Sequence, residues 1–208
     1  MTCRNCRIVK RAEDGEDMKF ELVIGGSRSG KSEFAERLAG RGESVTYIAT
    51  APVLDEEMLD RVRRHKERRP LFWSTVEEPL RVVDVIRNGA PGQLFLLDCV
   101  GTWITNMLLD ENFPAPSTPD GRKEEAILAE VRRLLAASEE TGCQLIAVAN
   151  EVGWGLVPEY PLGRAFRDIA GRVNQLLASA AENVYFCVAG LTVELKALAC
   201  HQTGGIIS

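Results

Sequence analysis

The chain has 208 residues, of which 45% are hydrophobic and 26% charged, a composition typical of one soluble globular domain with a full-sized core. Its formal net charge of −5 argues against a nucleic-acid-binding protein. No stretch approaches the roughly 20 apolar residues of a membrane span, and the charged N-terminus lacks the apolar core of a signal peptide, so we expect a cytoplasmic protein.

Residues 1–17 form a polar leader before Met18. Cys3 and Cys6 within it make a lone C-x-x-C pair without a second pair at metal-ligand spacing, so we expect no zinc site there. The first apolar run begins almost directly after Met18. Either the leader is a flexible extension, or Met18 is the true start of the protein, and the sequence leaves both interpretations open. We expect one catalytic domain over residues 18–196 and a C-terminal tail over residues 197–208.

The most informative motif follows the first predicted strand, residues 20–24. It has the pattern G-x-x-x-x-G-K-S between an apolar run and a helical stretch, which is typical of a phosphate-binding loop. Backbone N–H groups of such a loop turn towards phosphate oxygens, and the helix N-terminus adds partial positive charge. We expect Lys31 to reach the outer phosphates and Ser32 to hold Mg²⁺, whereas a mere glycine-rich turn would need neither side chain. The loop consists of Gly25, Gly26, Ser27, Arg28, Ser29, Gly30, Lys31 and Ser32.

Apolar strands and helical stretches alternate along the rest of the chain. The further predicted strands cover residues 45–49, 94–97, 145–149 and 184–188, with a candidate edge strand over residues 72–76. The predicted helices cover residues 32–39, 55–68, 78–88, 123–140 and 162–181. Because the strands are apolar throughout, we expect a mostly parallel sheet with helices on both faces. The predicted fold class is therefore α/β, a single P-loop NTPase-like domain.

Residues just after the strands are the candidates for chemistry, because open parallel sheets bind ligands beyond the C-terminal ends of their strands. Asp98 ends the third of the five long apolar runs, and an acid there is the usual partner of a phosphate loop, near Mg²⁺ or a bound water. Thr50 and Ala51 follow the second run. Asn150 and Glu151 follow the fourth, where substrate contact and capping of the loop are equally good explanations.

The helix predicted over residues 55–68 carries His65, one of only two histidines in the chain. Met58, Val62 and His65 fall on one helical face. The cations around this histidine are Arg64, Lys66, Arg68 and Arg69. Cations disfavour protonation of an imidazole, keep a nitrogen available for nucleophilic attack, and attract phosphate. On these grounds alone, an incidental histidine at the solvated end of a basic helix is the alternative.

Four stretches carry a resemblance to a known family: the phosphate loop, residues 47–51, residues 65–70, and the run from residue 150 through Pro158 and Glu159 to residues 166–175. Together they resemble the bifunctional adenosylcobinamide kinase / adenosylcobinamide-phosphate guanylyltransferase of cobalamin biosynthesis. The resemblance covers the chain from about Phe20 to about Ala189. The phosphate loop alone is widespread, whereas its combination with the histidine stretch and the last run is specific.

The resemblance implies two reactions at one nucleotide site. A nucleoside triphosphate, ATP or GTP, phosphorylates the hydroxyl of the aminopropanol arm of adenosylcobinamide. GTP then donates GMP to adenosylcobinamide phosphate through a covalent histidine intermediate, and that histidine corresponds to His65. Lys31 and Asp98 complete the predicted catalytic residues. Besides the phosphate loop, the implied nucleotide contacts are Ala49, Thr50, Ala51, Lys66, Glu67, Arg68, Arg69, Glu77 and Asp98.

Two details qualify what the resemblance implies. Asp98 stands where the family is expected to have a glutamate, so its carboxylate is one methylene shorter. The family's trimeric assembly implies a homo-oligomer, and neither the leader nor the chain after Lys196 is covered.

Two other classes of protein also account for part of the sequence. A monofunctional small-molecule kinase explains the phosphate loop and Asp98 and leaves His65 without a role. A nucleotide-switch protein that acts through partners is the non-enzyme alternative, and the absence of an N-K-x-D guanine-specificity motif stands against it. Trp73, Trp103 and Trp154 are suited to packing against a large ligand, although burial is the commoner use of tryptophan.

Overall fold

The computed structural model of the chain describes residues 20–51, 70–113 and 123–199. Strands and helices alternate along most of this length, as the sequence predicts. The strands are β1 (Phe20–Gly25), β2 (Val45–Ala49), β3 (Ser74–Glu77), β4 (Leu94–Asp98), β5 (Gln144–Asn150), β6 (Asn183–Val188) and β7 (Leu191–Glu194). The helices are α1 (Lys31–Ala39), α2 (Val82–Arg87), α3 (Val100–Leu109), α4 (Lys123–Thr141) and α5 (Pro161–Ala180).

The strands form a seven-stranded sheet in the order β3-β2-β4-β5-β1-β6-β7. All neighbouring pairs are parallel except β6 and β7, which run antiparallel. Gly25 pairs in register with Asn150, and Ala49 pairs with Asp98. The C-terminal ends of β1, β2, β4 and β5 therefore meet at one edge of the sheet, and the predicted α/β class with a mostly parallel sheet is confirmed.

Helices cover both faces of the sheet. Helices α2 to α5 pack on one face against a cluster that includes Leu22, Leu97 and Ala147. Helix α1 packs on the other face with Val23 and Tyr47. Leu22, Val23 and Ile24 of β1 alternate between these two apolar layers, which explains why the central strands are largely apolar. None of the helices within the described ranges is long and apolar enough to cross a membrane.

Helix α3 was not among the predicted elements. Its N-cap is Cys99, whose thiol accepts a hydrogen bond from the backbone N–H of Thr102 at 3.5 Å. Cysteine is not one of the side chains that usually cap helices, so the start of α3 carries no ordinary signal. The apolar, β-branched residues that follow also resemble a strand as much as a buried helix.

Strand β7 is the second element that the sequence did not reveal. It is joined to β6 by Ala189 and Gly190, whose backbone φ angles are 52° and 79°. Two successive left-handed residues make a tight hairpin turn, and the usual sequences for it are Asn-Gly or Asp-Gly. Because alanine rather than asparagine or aspartate stands at the first position, the sequence pattern did not predict this hairpin.

Two elements differ from prediction in their limits. The edge strand expected over residues 72–76 is β3, which begins at Ser74. The helix expected over residues 78–88 is the shorter α2, because the Glu78 carboxylate accepts backbone N–H bonds from Leu80 and Arg81 in the turn before it. The helix predicted over residues 55–68 lies outside the described residues, as does the leader. The limits of the domain therefore stay predictions.

Candidate nucleotide-binding site

The phosphate loop connects β1 to α1 at the C-terminal edge of the sheet. Arg28 and Gly30 have left-handed backbone conformations, with φ of 56° and 92°. These two residues turn the chain so that α1 begins at Lys31, and the N–H of Phe34 donates to the Gly30 carbonyl at 3.0 Å. Gly30 has no side chain to cap α1, so the first N–H groups of the helix remain suited to an anion.

The first two glycines of the loop serve different purposes. A Cβ at Gly25 would lie 2.5 Å from the Cys187 carbonyl oxygen and 2.6 Å from the Ser29 hydroxyl oxygen, so close packing excludes a side chain there. A Cβ at Gly26 would meet nothing within 4 Å among the described residues. Gly26 thus faces open space, where a phosphate would approach the backbone.

The Lys31 ammonium lies across this loop. Its Nζ donates a hydrogen bond to the Gly26 carbonyl oxygen at 3.1 Å, which keeps the positive charge over the loop. A triphosphate is the ligand for which a loop of amides and one folded-back lysine is suited.

Asp98 lies at the end of β4, where its Oδ2 accepts a hydrogen bond from the Tyr47 hydroxyl at 2.9 Å. Burial raises the pKa of the neighbouring Cys99 thiol, and the negative charge of Asp98 raises it further, while the positive charge of Lys31 lowers it. Lys31 begins α1 directly after the phosphate loop, and Asp98 is the last residue of β4 at the same edge of the sheet. These two residues, which the sequence assigned to one site, therefore lie at one edge of the sheet.

Thr50 connects neighbouring elements at this edge of the sheet through hydrogen bonds. It is fully buried, and its hydroxyl donates to the Cys99 carbonyl at 2.9 Å and accepts from the Cys99 N–H at 3.0 Å. The Asn106 side chain donates to the Thr50 carbonyl at 2.8 Å and to the Pro79 carbonyl at 2.9 Å. Thr50 and Asn106 thus join the ends of β2 and β4 to α3. Sequence reasoning missed Asn106, whose only signal is an amide within an apolar helix.

The other predicted contacts fall on the β2–β3 side of the sheet or outside the described residues. Ala49 and Glu77 are partners in register, at the last positions of β2 and β3. His65, Lys66, Glu67, Arg68 and Arg69 lie outside the described residues. In the sequence they stand between Ala51, just after β2, and Pro70, ahead of β3.

The residues after β5 form hydrogen bonds that stabilise the loop to which they belong. The Asn150 carbonyl accepts from the Asn174 side chain at 3.1 Å, and the Glu151 carboxylate accepts from the Gly153 N–H at 2.5 Å. The Arg167 guanidinium donates to the Gly153 carbonyl. Of the two explanations that the sequence left open, these contacts favour capping of the loop. They also explain how α5 positions the residues after β5.

The three tryptophans differ in their surroundings. Trp103 is fully buried and donates its indole N–H to the Leu80 carbonyl at 2.9 Å, and Trp73 is buried on the other face of the sheet. Trp154 is 82% exposed, and its ring centre lies 5.4 Å from that of Phe186. Only Trp154 is placed to meet a ligand.

The donors at this edge fit a magnesium ion that arrives with a nucleotide. Among the described residues, no group of three or more His, Cys, Asp or Glu side chains could hold a metal by itself. Ser32 and Asp98 offer oxygen atoms, and Mg²⁺ in phosphoryl-transfer sites takes one or two protein oxygens besides phosphate and water oxygens.

Comparison with known proteins supplies the family. Residues 21–195 match the family model CobU, described as cobinamide kinase / cobinamide phosphate guanyltransferase. The chain is 45% identical over 180 residues to the bifunctional adenosylcobalamin biosynthesis protein CobU of Escherichia coli, covering 84% of this chain and 98% of that protein. The CobU of Salmonella typhimurium matches to the same extent. The corresponding CobP of Pseudomonas aeruginosa is 43% identical over 178 residues, covering 85% and 96%. The chain therefore belongs to the cobinamide kinase / cobinamide phosphate guanyltransferase family.

Proposed function

We propose that this protein phosphorylates adenosylcobinamide with a nucleoside triphosphate and then transfers GMP from GTP to the product, giving adenosylcobinamide-GDP. The observation that carries the proposal is the phosphate loop with Lys31 folded over it and Asp98 at the same edge of the sheet, in a chain whose relatives are named as bifunctional. Both reactions handle a triphosphate, so one loop of backbone amides serves both.

In the first reaction, the substrate hydroxyl attacks the γ-phosphorus of the triphosphate. The hydroxyl loses its proton, the bond from the γ-phosphorus to the bridging oxygen breaks, and the nucleoside diphosphate leaves. The loop amides, the N-terminus of α1 and Lys31 neutralise charge on the phosphates, which is most of what phosphoryl transfer needs from a protein. Ser32 and Asp98 would hold Mg²⁺, which adds positive charge at the same phosphates.

In the second reaction, a ring nitrogen of His65 attacks the α-phosphorus of GTP, and pyrophosphate leaves. A phosphate oxygen of adenosylcobinamide phosphate then attacks the same phosphorus, the phosphorus–nitrogen bond breaks, and the imidazole is regenerated. Splitting one displacement into two is the usual advantage of a covalent intermediate. Lys66, Glu67, Arg68 and Arg69 follow His65 in sequence, and we assign Arg68 and Arg69 to the leaving phosphates.

Beyond the phosphate loop and the stretch from Lys66 to Arg69, the nucleotide contacts that we propose stand at or just after the C-terminal ends of neighbouring strands: Ala49, Thr50, Ala51, Glu77 and Asp98. Thr50 supports them through its bonds to Cys99. We also propose a cytoplasmic location, because ATP and GTP are supplied there, and a homo-oligomeric assembly on the grounds of family resemblance.

The proposal is tested by following corrinoid products. The purified protein is incubated with adenosylcobinamide, ATP and Mg²⁺, then with GTP, and the corrinoids are separated by chromatography. We expect adenosylcobinamide phosphate in the first stage and adenosylcobinamide-GDP in the second. Phosphorylation that stops at the first product would indicate a monofunctional kinase. Slow nucleotide hydrolysis without any corrinoid product would indicate a switch protein.

A further inference from the structure

A pocket of about 370 Å³ opens beside the phosphate loop. One wall is the loop itself, from Gly26 to Ser29, and the other comes from the end of β6 and the hairpin turn, with Phe186, Val188 and Ala189. Trp154, from the loop after β5, lines it as well. In the sheet, β6 neighbours β1 on one side, whereas β4 and its Asp98 lie on the other. The β6 wall of the pocket and Asp98 therefore flank the phosphate loop from opposite sides.

The pocket presents aromatic surface. The exposed Trp154 ring and the Phe186 ring meet at an angle of 55° with their centres 5.4 Å apart. Phe186 is held within β6, where it pairs with Val193 of β7. An exposed indole fixed against a second aromatic ring, next to a phosphate-binding loop, suits a ligand that carries both a flat ring and phosphates.

The two reactions require different ends of a triphosphate at the reacting centre. With Lys31 and Asp98 acting on the γ-phosphorus, as proposed above, the nucleoside end of the triphosphate lies away from Asp98, and β6 stands on that side of the phosphate loop. Transfer of GMP exposes the α-phosphorus to a nucleophile instead. The contacts proposed for GTP, Ala49 and Glu77, lie on the β2–β3 side of the sheet, separated from the phosphate loop by β4 and β5.

We propose that the pocket beside β6 receives the nucleobase of the triphosphate that donates the phosphoryl group, with the base stacked on Trp154. This assignment rests on the proposed function and adds a second nucleobase position to the same phosphate loop. The volume falls within the range of small-molecule sites and suits a nucleoside.

The lining also sets the expected specificity. Glu151 is the one carboxylate among the lining residues, and it accepts a hydrogen bond from the Gly153 N–H, so it is engaged within its own loop. Stacking recognises every base, because each has a flat face, whereas discrimination needs hydrogen bonds to the base edge. Because stacking on Trp154 does not distinguish the bases, we expect both ATP and GTP to serve as phosphoryl donors.

The test compares Trp154→Ala with Trp154→Phe, which keeps an aromatic face, and with Leu156→Ala. Leu156 is 95% exposed on the same loop and does not line the pocket, so its variant is the matched control. The KM for ATP is measured in phosphorylation of adenosylcobinamide, and the KM for GTP in GMP transfer to preformed adenosylcobinamide phosphate. We expect Trp154→Ala to raise the KM for ATP about tenfold, which is in the range for loss of one stacked base, and to leave the KM for GTP unchanged. Trp154→Phe should recover most of the loss, and Leu156→Ala should behave as wild type.

Three results would overturn the assignment. The first is an unchanged KM for ATP in Trp154→Ala. The second is a rise in the KM for adenosylcobinamide instead, which would make the pocket a corrin contact. The third is a rise in the KM for both nucleotides, which would mean that ATP and GTP share one base position. If the wild-type protein forms no phosphorylated corrinoid, the proposed function fails. The same variants are then compared by calorimetric ATP binding, where weakened binding in Trp154→Ala supports the pocket and unchanged binding contradicts it.

Discussion

The backbone N–H of Gly190 donates a hydrogen bond to the Ser29 carbonyl oxygen at 3.0 Å, which ties the turn between β6 and β7 to the phosphate loop. Both sides of this contact use left-handed backbone, with φ of 79° at Gly190 and 92° at Gly30. A Cβ on Gly30 would lie 3.4 Å from the Gly190 Cα. The conformation of the loop therefore depends on a hairpin near the other end of the described chain.

Replacing Gly190 with Ala should weaken both folding and nucleotide binding. A Cβ in the left-handed region costs about 1–2 kcal/mol, and the strain falls on the turn that holds Ser29. Urea unfolding would measure the loss of stability, and calorimetry the loss of nucleotide affinity. Gly171→Ala is the control, because Gly171 lies in α5, where a Cβ would meet no described atom within 4 Å apart from the backbone of its own helix. This change should stabilise the fold by about 0.5–1 kcal/mol. Unchanged nucleotide binding in Gly190→Ala would show that the hairpin does not support the loop.

Replacing Lys31 with Ala should abolish phosphorylation and GMP transfer together, because both reactions use one triphosphate cradle. Calorimetry with nucleotide and Mg²⁺ would show the loss of binding directly. Arg37→Ala removes a cation from the same helix, where Arg37 forms an exposed ion pair with Glu33 at 3.5 Å, and it should keep both activities. Nucleotide binding that survives in Lys31→Ala would remove the phosphate loop from the mechanism.

Glu21 gives the stability of the fold a predictable dependence on pH. It is buried on β1, where the Tyr185 hydroxyl donates to its carboxylate at 3.2 Å and the Asn183 side chain at 3.4 Å. Burial raises the pKa of Glu21 above its ordinary value of 4.5, against the opposing effect of these two hydrogen bonds and of Arg41. A raised pKa in the folded state means that the protonated form stabilises the fold, fully below pH 4.5, and that this contribution is lost as pH rises through the folded pKa.

The variant Glu21→Gln removes this titration while keeping an oxygen for Tyr185. We expect the stability of the variant relative to wild type to increase as pH rises from about 4 towards neutrality and then to level off. Free energies of unfolding from urea titrations across that range would measure the stability difference between variant and wild type. The contributions of all other titrating groups are the same in both proteins and cancel in this difference. A difference that stays constant with pH would contradict the raised pKa.

Deletion of residues 1–17 should leave folding and both activities intact. The sheet begins at Phe20, whose carbonyl accepts a hydrogen bond from the N–H of Glu182 at 2.9 Å. The start of β1 is therefore held by a residue of the domain and not by the leader. Thermal unfolding and product formation would be compared between the full chain and a form starting at Met18. Precipitation or loss of activity in the shorter form would show that the leader has a role.

The sequence was most informative where structure is determined locally. The phosphate loop and the buried strands follow from short patterns of glycine, lysine and apolar residues, and the structure has them where they were expected. Helix α3 and strand β7 were missed because Cys99 is an unusual cap and Ala189 an unusual turn residue. The bonds of Thr50 to Cys99 and of Asn106 to Thr50 join positions 49 and 56 residues apart, and no local pattern reveals such contacts.

Intact-mass measurement shows whether His65 carries GMP between GTP and the corrinoid, as we propose. Wild-type protein and His65→Asn, which keeps a similar shape but cannot attack phosphorus, are incubated with GTP and Mg²⁺ without acceptor. We predict that wild type gains one GMP, stable to alkali and released by acid, as expected for a phosphorus–nitrogen bond. His65→Asn should gain none and should still phosphorylate adenosylcobinamide, because its phosphate loop is intact. A GMP adduct on the Asn variant, or a label that maps to His201, would show that His65 is not the residue that carries GMP.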